Sequence, residues 1–194
     1  MKHALRLITL VGLMLISMMA FAQVDNSARA TEMGRRVHQL NLLNQVLPVL
    51  MTKEQIKKLL PVMEKQRQAV KDLEKREFDQ MSKIDAKVQA ALKDAKEKQV
   101  LPSDELNAEI QLMAANFNME RIKLLAVQIN ELAAAMEEHL NAGQIKSAAM
   151  ALNPKIYNPE VDDSQYTEKE RLLLWVRYVL MDPEIYPLMI ELSK

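Results

Sequence analysis

Few residues in this sequence could bind a metal ion. Outside the first 22 residues there are two histidines, His38 and His139, and neither has the glutamate three positions earlier that di-iron helical bundles use. Two imidazoles alone make a poor site even if they meet. Methionine sulfur could bind copper, but that part of the chain has no Met-x-Met or Met-x-x-Met cluster. We therefore predict no metal site, and metal binding by these histidines and methionines stays an alternative.

Residues that would support catalysis or cofactor binding are also scarce. Gly34 and Gly143 are the only glycines after residue 22, so no glycine-rich phosphate loop can form. The chain has no cysteine, which excludes thiolate chemistry, disulfides and cysteine metal sites. We predict that the protein is not an enzyme and has no cofactor. Without the first 22 residues the sequence has 24 basic and 26 acidic side chains, a net charge of −2, which gives no argument for nucleic acid as a partner.

A six-residue pattern occurs twice, at residues 52–57 and 141–146, and the two copies are 89 residues apart. Each copy begins with a residue that can cap a helix and has glutamine three positions later, which is the spacing of a capping box. Each copy also follows an apolar residue. The pattern predicts two helix starts, and the predicted caps are Thr52, Gln55, Asn141 and Gln144.

The first 22 residues have the three parts of an export signal. Lys2 and Arg6 are basic, residues 7–19 are apolar, and Ala20-Phe21-Ala22 is typical of a cleavage site. The apolar stretch is shorter than the ~20 residues that span a bilayer. We predict cleavage after Ala22 and a periplasmic or secreted product that does not insert into the membrane.

The remaining sequence predicts an all-α fold. Apolar residues at steps of three and four indicate helices over about 29–48, 52–99 and 103–140, and the two long ones are predicted to form an elongated antiparallel hairpin. Shorter helices are predicted to flank it. Pro61 predicts a kink or short break. Met63, Met81, Met113 and Met136 lie on the apolar faces and are predicted to fill the core.

The predicted organisation divides the chain into four parts. A signal peptide at 1–22 precedes a helical-hairpin domain at 23–152. A linker at 153–166 leads to a C-terminal helical extension at 167–194, in which Asp182-Pro183 is predicted to start the last helix. Trp175 is predicted to anchor this extension on the rest of the protein.

The charges of the two long predicted helices are opposite. Residues 53–99 have 13 basic and 9 acidic side chains, whereas residues 103–140 have 2 basic and 7 acidic ones. Flanking charges help to specify antiparallel helix pairs. We therefore expect the two arms of the hairpin to attract each other.

From about residue 37 to residue 152 the chain resembles the periplasmic Spy/CpxP-like family, whose hallmark is a doubled Leu-Thr-x-x-Gln motif. Residues 51–55, Met-Thr-Lys-Glu-Gln, match the first copy closely. Residues 140–144, Leu-Asn-Ala-Gly-Gln, match the second copy loosely. The resemblance implies an all-α hairpin, a dimeric cradle and an envelope-stress role such as ATP-independent holding of unfolded proteins.

These observations predict an exported, non-enzymatic protein that binds non-native or partner proteins through apolar helix faces. The resemblance adds the homodimer as the expected assembly. The residues that bind a client are not indicated by the sequence. Two alternatives stay open: a metal-binding or metal-responsive envelope protein that uses His38 and His139, and a structural coiled-coil component without clients.

Overall fold

The structure is a computed structural model that describes residues 29–153, residue 160 and residues 162–194. The predicted signal peptide and half of the predicted linker, residues 154–159 and 161, lie outside the described residues. The described part of the chain is helical and contains no strand, so the predicted all-α class is confirmed. By internal contacts the chain divides into two units, Met1–Asn44 and Gln45–Lys194. The predicted domain boundaries stay predictions.

The first described helix, α1, covers residues 29–46, and the division between the two units falls near its end. A 3-10 turn follows at Leu47–Val49. Leu50 then adopts a left-handed backbone conformation with φ of 55°, and its N–H donates to the Leu47 carbonyl to end this turn.

The hairpin consists of α2, Lys53–Lys98, and α3, Asp104–His139. Helix α2 has 46 residues and is therefore roughly 69 Å long at 1.5 Å per residue. Gln99, with φ of 55°, ends α2, and the Ser103 hydroxyl accepts the Leu106 N–H to start α3. Contacts between the helices pair rising residue numbers on α2 with falling numbers on α3. The predicted antiparallel hairpin is confirmed.

Helix α2 continues without interruption through Pro61, so the short break suggested by the sequence is absent. Proline removes one backbone hydrogen bond from a helix interior and crowds the preceding turn. Leu59 and Met63, on either side of Pro61, are buried in the core. We attribute the continuity of the helix to this packing, which offsets the single lost bond.

Three shorter helices complete the unit: α4, Ala142–Ala151; α5, Glu168–Trp175; and α6, Ile185–Leu192. Between α5 and α6 the chain forms a π-helical turn at Val176–Leu180. Helix α5 packs on α4, and α6 packs on α2. Trp175 is fully buried, which confirms the predicted anchoring of these C-terminal helices.

The last helix begins later than the sequence predicts. Asp182 accepts the Glu184 N–H at 2.8 Å through Oδ1 and closes a turn, and the helix starts at Ile185. The aspartate side chain is thus engaged within the turn and does not cap a helix beginning at Pro183. Among the described helices none is long and apolar enough to cross a membrane.

Candidate functional site

The two copies of the repeated pattern both form capping boxes. Thr52 Oγ1 accepts the Gln55 N–H at 3.2 Å, and Gln55 Oε1 accepts the Thr52 N–H at 2.9 Å. In the second copy the Asn141 and Gln144 side chains make the same two bonds at 3.0 Å each. Thr52 thus starts α2 and Asn141 starts α4, as the sequence predicts.

The same two glutamines also bond directly to each other. Gln55 Nε2 donates to Gln144 Oε1 at 2.9 Å, and Gln144 Nε2 donates to Gln55 Oε1 at 3.0 Å. The second N–H of each amide donates to a backbone carbonyl beside the other cap: Gln55 to His139 at 3.0 Å and Gln144 to Leu50 at 2.9 Å. Each amide therefore makes all four of the hydrogen bonds available to it.

This network, which we call the glutamine pair, has local two-fold symmetry. Leu50 and His139 are 89 residues apart, and the same interval separates the caps and the glutamines. The pair joins the start of α2 to the junction of α3 and α4. Sequence reasoning interpreted each glutamine only as part of its own cap. The glutamine occupies the same position in both copies of the pattern, and this equivalence was the signal that could have indicated their pairing.

Gly143 lies in the first turn of α4 beside this network. A Cβ atom at this position would lie 3.2 Å from the Asn141 Oδ1 atom. The missing side chain therefore leaves room for the asparagine that caps the helix. This contact gives a structural reason for the glycine in the second copy of the pattern.

Charged side chains connect the two arms of the hairpin. Lys65 Nζ lies 2.7 Å from a Glu131 carboxylate oxygen, and Lys87 Nζ lies 2.8 Å from a Glu109 carboxylate oxygen. Both pairs agree with the predicted attraction between a basic α2 and an acidic α3. Because these four side chains are largely exposed, each pair contributes little, about 0 to 1 kcal/mol.

A third pair reverses this polarity and is more buried. Glu77 of α2 is 3% exposed, and the Arg121 guanidinium of α3 covers it. Arg121 Nε donates to Glu77 Oε1 at 2.7 Å, and Nη2 donates to Oε2. The hydrogen bonds from Arg121 lower the pKa of Glu77 below its usual value, against the opposing effect of burial.

Large apolar side chains remain exposed on both long helices. On α2, Phe78 is 65% exposed, and Met81 and Leu92 are also exposed; we call these three residues the α2 row. Met81 was predicted to fill the core, but it lies beside the buried seam rather than in it. Met63 and Met136, by contrast, are buried as predicted.

Helix α3 has a second apolar face opposite the one that packs on α2. Its residues are all exposed and follow one another at alternating steps of four and three, the spacing of a coiled-coil seam. Leu112 is 65% and Ile122 is 67% exposed. This outer row consists of Ala108, Leu112, Ala115, Met119, Ile122 and Ala126.

The two histidines of the metal-binding alternative lie in different units of the structure. His139 lies at the end of α3, where its backbone carbonyl accepts the Gln55 amide. His38 lies on α1, in the other unit. Within the ranges the structure describes, no group of three or more histidine, aspartate or glutamate side chains is placed to hold a metal ion.

Comparisons with known proteins found no relative for this chain. No family model matches it, and no significant match was found among curated proteins or solved structures. The Spy/CpxP-like resemblance therefore depends on the two motif copies and their setting, and it stays a prediction.

Proposed function

We propose that this protein is a non-enzymatic, exported chaperone-like protein that binds non-native or partner proteins without nucleotide, in an envelope-stress role. The observation that carries the proposal is the exposure of large apolar residues along both arms of the hairpin. Exposed apolar surfaces of this kind mark protein interaction sites. The Spy/CpxP-like resemblance of the motif supports the same function.

The α2 row is the surface that we assign to non-native proteins. Phe78 and Met81 are one helical turn apart, and Leu92 lies on the same side of the helix three turns further on. The helix that carries this row has more basic than acidic residues. Flexible methionine and a large aromatic ring suit an adaptable apolar surface.

The outer row of α3 is the surface that we assign to a second copy of the chain. When two α3 helices are set antiparallel with their centres at residue 117, Leu112 faces Ile122 and Ala115 faces Met119 of the other copy. The two central layers, Ala115 with Met119, then pair a small residue with a large one, and the Leu112–Ile122 layers on either side pair two large apolar residues.

Suppression of aggregation tests the proposed function. A chemically denatured client is diluted into buffer without nucleotide, and light scattering is followed with a several-fold excess of this protein. We expect strong suppression by the wild type. We expect the Phe78→Ser/Met81→Ser variant to lose at least about half of it, because polar side chains reduce the apolar area that a client can bury.

A matched control is available at the tip of the hairpin. Val100 and Leu101 are exposed apolar residues outside the α2 row. The Val100→Ser/Leu101→Ser variant is expected to suppress aggregation as well as the wild type does. If the wild type leaves client aggregation unchanged, the structural coiled-coil alternative replaces the chaperone proposal. If the two double variants behave alike, the α2 row is not the client surface.

A further inference from the structure

A cavity of about 250 Å³ lies between the hairpin and the turn that leads into α6. An engineered apolar cavity of about 150 Å³ admits benzene, so this space is large enough for a small organic molecule. Val70 at its edge is partly exposed, and the cavity opens to solvent. Its apolar wall consists of Met63, Val70, Leu132, Leu180, Met181 and Pro183.

Two cationic side chains line the same cavity. Arg67 and Lys71 are one turn apart on α2 and therefore lie on one side of the helix. The Arg67 guanidinium lies 4.5 Å from the centre of the Tyr186 ring, which holds it in place. Its Nε lies 3.5 Å from a Glu64 oxygen, close enough for charge attraction, but it makes no hydrogen bond.

The buried polar groups of the cavity are also hydrogen-bond donors. Gln66 and Gln128 are 6% and 3% exposed, and both line the cavity. Gln128 Nε2 donates to the Gln66 carbonyl at 2.9 Å, and Gln66 Nε2 donates to Glu131. Each amide has a second N–H that donates to no described residue. The one acidic lining residue, Asp182, already accepts the Glu184 N–H.

The backbone beside the cavity is unusual. The π-helical turn Val176–Leu180 ends at a residue that lines the cavity, and the turn after it supplies Met181, Asp182 and Pro183. Single π-helical turns are frequent at functional sites. Here the wider turn places these lining residues opposite α2.

We propose that this cavity binds a small amphiphilic monocarboxylate. An apolar body of one ring or a chain of roughly eight carbons lies against the apolar wall. The carboxylate accepts hydrogen bonds from Arg67 and Lys71, since charge-assisted bonds of this kind are strong. A neutral hydroxyl head accepts hydrogen bonds without the added strength of a charge, and a cationic head is repelled by Arg67 and Lys71. This site is separate from the α2 row and from the outer row of α3, and it does not depend on the proposed chaperone function.

Methyl-labelled methionine makes binding observable in the intact chain. Met63 and Met181 line the cavity, whereas Met81 and Met119 lie on exposed faces away from it. Sodium octanoate is titrated into protein with ¹³C-methyl methionine, with octanol and octylammonium as head-group controls. We expect saturable shifts at Met63 and Met181 and none at Met81 or Met119. Octanol and octylammonium are expected to bind at least about fivefold more weakly.

Variants separate the head contact from the apolar contact. Arg67→Gln and Lys71→Gln are each expected to weaken octanoate binding at least about fivefold, and Lys75→Gln, one turn further along α2, is the control. Val70→Phe is expected to fill the cavity and abolish the shifts, whereas Val127→Phe, on an exposed position of α3, leaves them unchanged. Helical circular dichroism confirms that each variant is folded.

Three results would overturn this proposal. Octanoate at millimolar concentration could leave the Met63 and Met181 signals unmoved. The three head groups could bind equally well, or Val70→Phe and the two charge variants could bind octanoate like the wild type. None of these results bears on client aggregation, so the cavity and the chaperone proposal fail independently.

Discussion

Gln144 accepts a hydrogen bond at the start of its own helix and exchanges two with Gln55, which lies at the start of α2. A fourth bond goes to the Leu50 carbonyl. The first bond needs only an acceptor, which glutamate supplies as well as glutamine does. The others include two donations that a carboxylate cannot make. Replacing Gln144 with glutamate therefore keeps the bond of the local cap and removes two bonds of the long-range network.

We predict that Gln144→Glu lowers the free energy of unfolding by about 2 to 4 kcal/mol, because two acceptors in a part-buried site lose their donor. A pure cap would be unaffected or slightly stabilised by a negative charge at a helix start. The measurement is urea denaturation at pH 7. The matched control is Glu170→Gln, which keeps the exposed capping box of Thr167 and is expected to change stability little. If Gln144→Glu has the same free energy of unfolding as the wild type, the glutamine pair contributes nothing beyond the two caps.

At the scale of elements, the pairing of α2 with α3 depends on more than the apolar seam. The most buried charged contact between them is Glu77 with Arg121, in which two parallel hydrogen bonds fix the register of the hairpin. The pKa of Glu77 is lowered in the folded protein by Arg121. A carboxyl group of this kind stabilises the fold above its unfolded pKa, and that contribution is lost as the pH falls towards the folded value.

We predict that Arg121→Gln lowers the urea midpoint at pH 7, because it leaves a buried carboxylate without its cation. Without Arg121, burial raises the pKa of Glu77, so protonation of Glu77 on acidification removes the unpaired buried charge and the difference between the urea midpoints of the variant and the wild type should narrow as the pH falls. Urea midpoints measured from pH 7 down to pH 3 test both effects. Lys123→Gln, two residues further along α3, is the control and should follow the wild-type curve. If the urea midpoints of the wild type and of Arg121→Gln differ by the same amount at every pH, the Glu77–Arg121 pair does not stabilise the fold in the way proposed.

At the scale of the whole molecule, the proposed assembly is a pair of chains joined by the outer rows of α3. The absence of cysteine makes this testable, because an introduced thiol has no native competitor. In the antiparallel arrangement Leu112 meets Ile122 of the second copy, and neither residue meets itself. A disulfide requires the two Cα atoms to be within about 7 Å.

We predict that an equimolar mixture of the Leu112→Cys and Ile122→Cys variants forms a covalent dimer on mild oxidation, whereas either variant alone does so much more slowly. Non-reducing electrophoresis and intact mass provide the measurement. Rapid cross-linking of each variant with itself would indicate parallel helices. No cross-linking in the mixture, together with a monomeric mass in solution, would refute the assembly.

Most of the fold could be predicted from the sequence because the decisive signals were local. Steps of three and four residues, the Ser103 cap and the capping boxes at Thr52 and Asn141 are properties of short segments, and the structure places helix starts at each of them. Such signals fix where a helix begins whatever it packs against. The continuity of α2 through Pro61 was not predictable in this way, since it depends on burial of the neighbouring residues.

What only the tertiary structure decided were contacts between segments far apart in the chain. The sequence determined that Gln55 and Gln144 occupy equivalent positions, but only folding of the hairpin brings their amides within hydrogen-bond distance. Likewise, periodicity indicated apolar faces on α3, whereas packing decided that the face of Phe117 is buried and that of Ile122 is exposed. The helical period determines which residues share a face of one helix. Only the neighbouring elements determine which of its faces is buried.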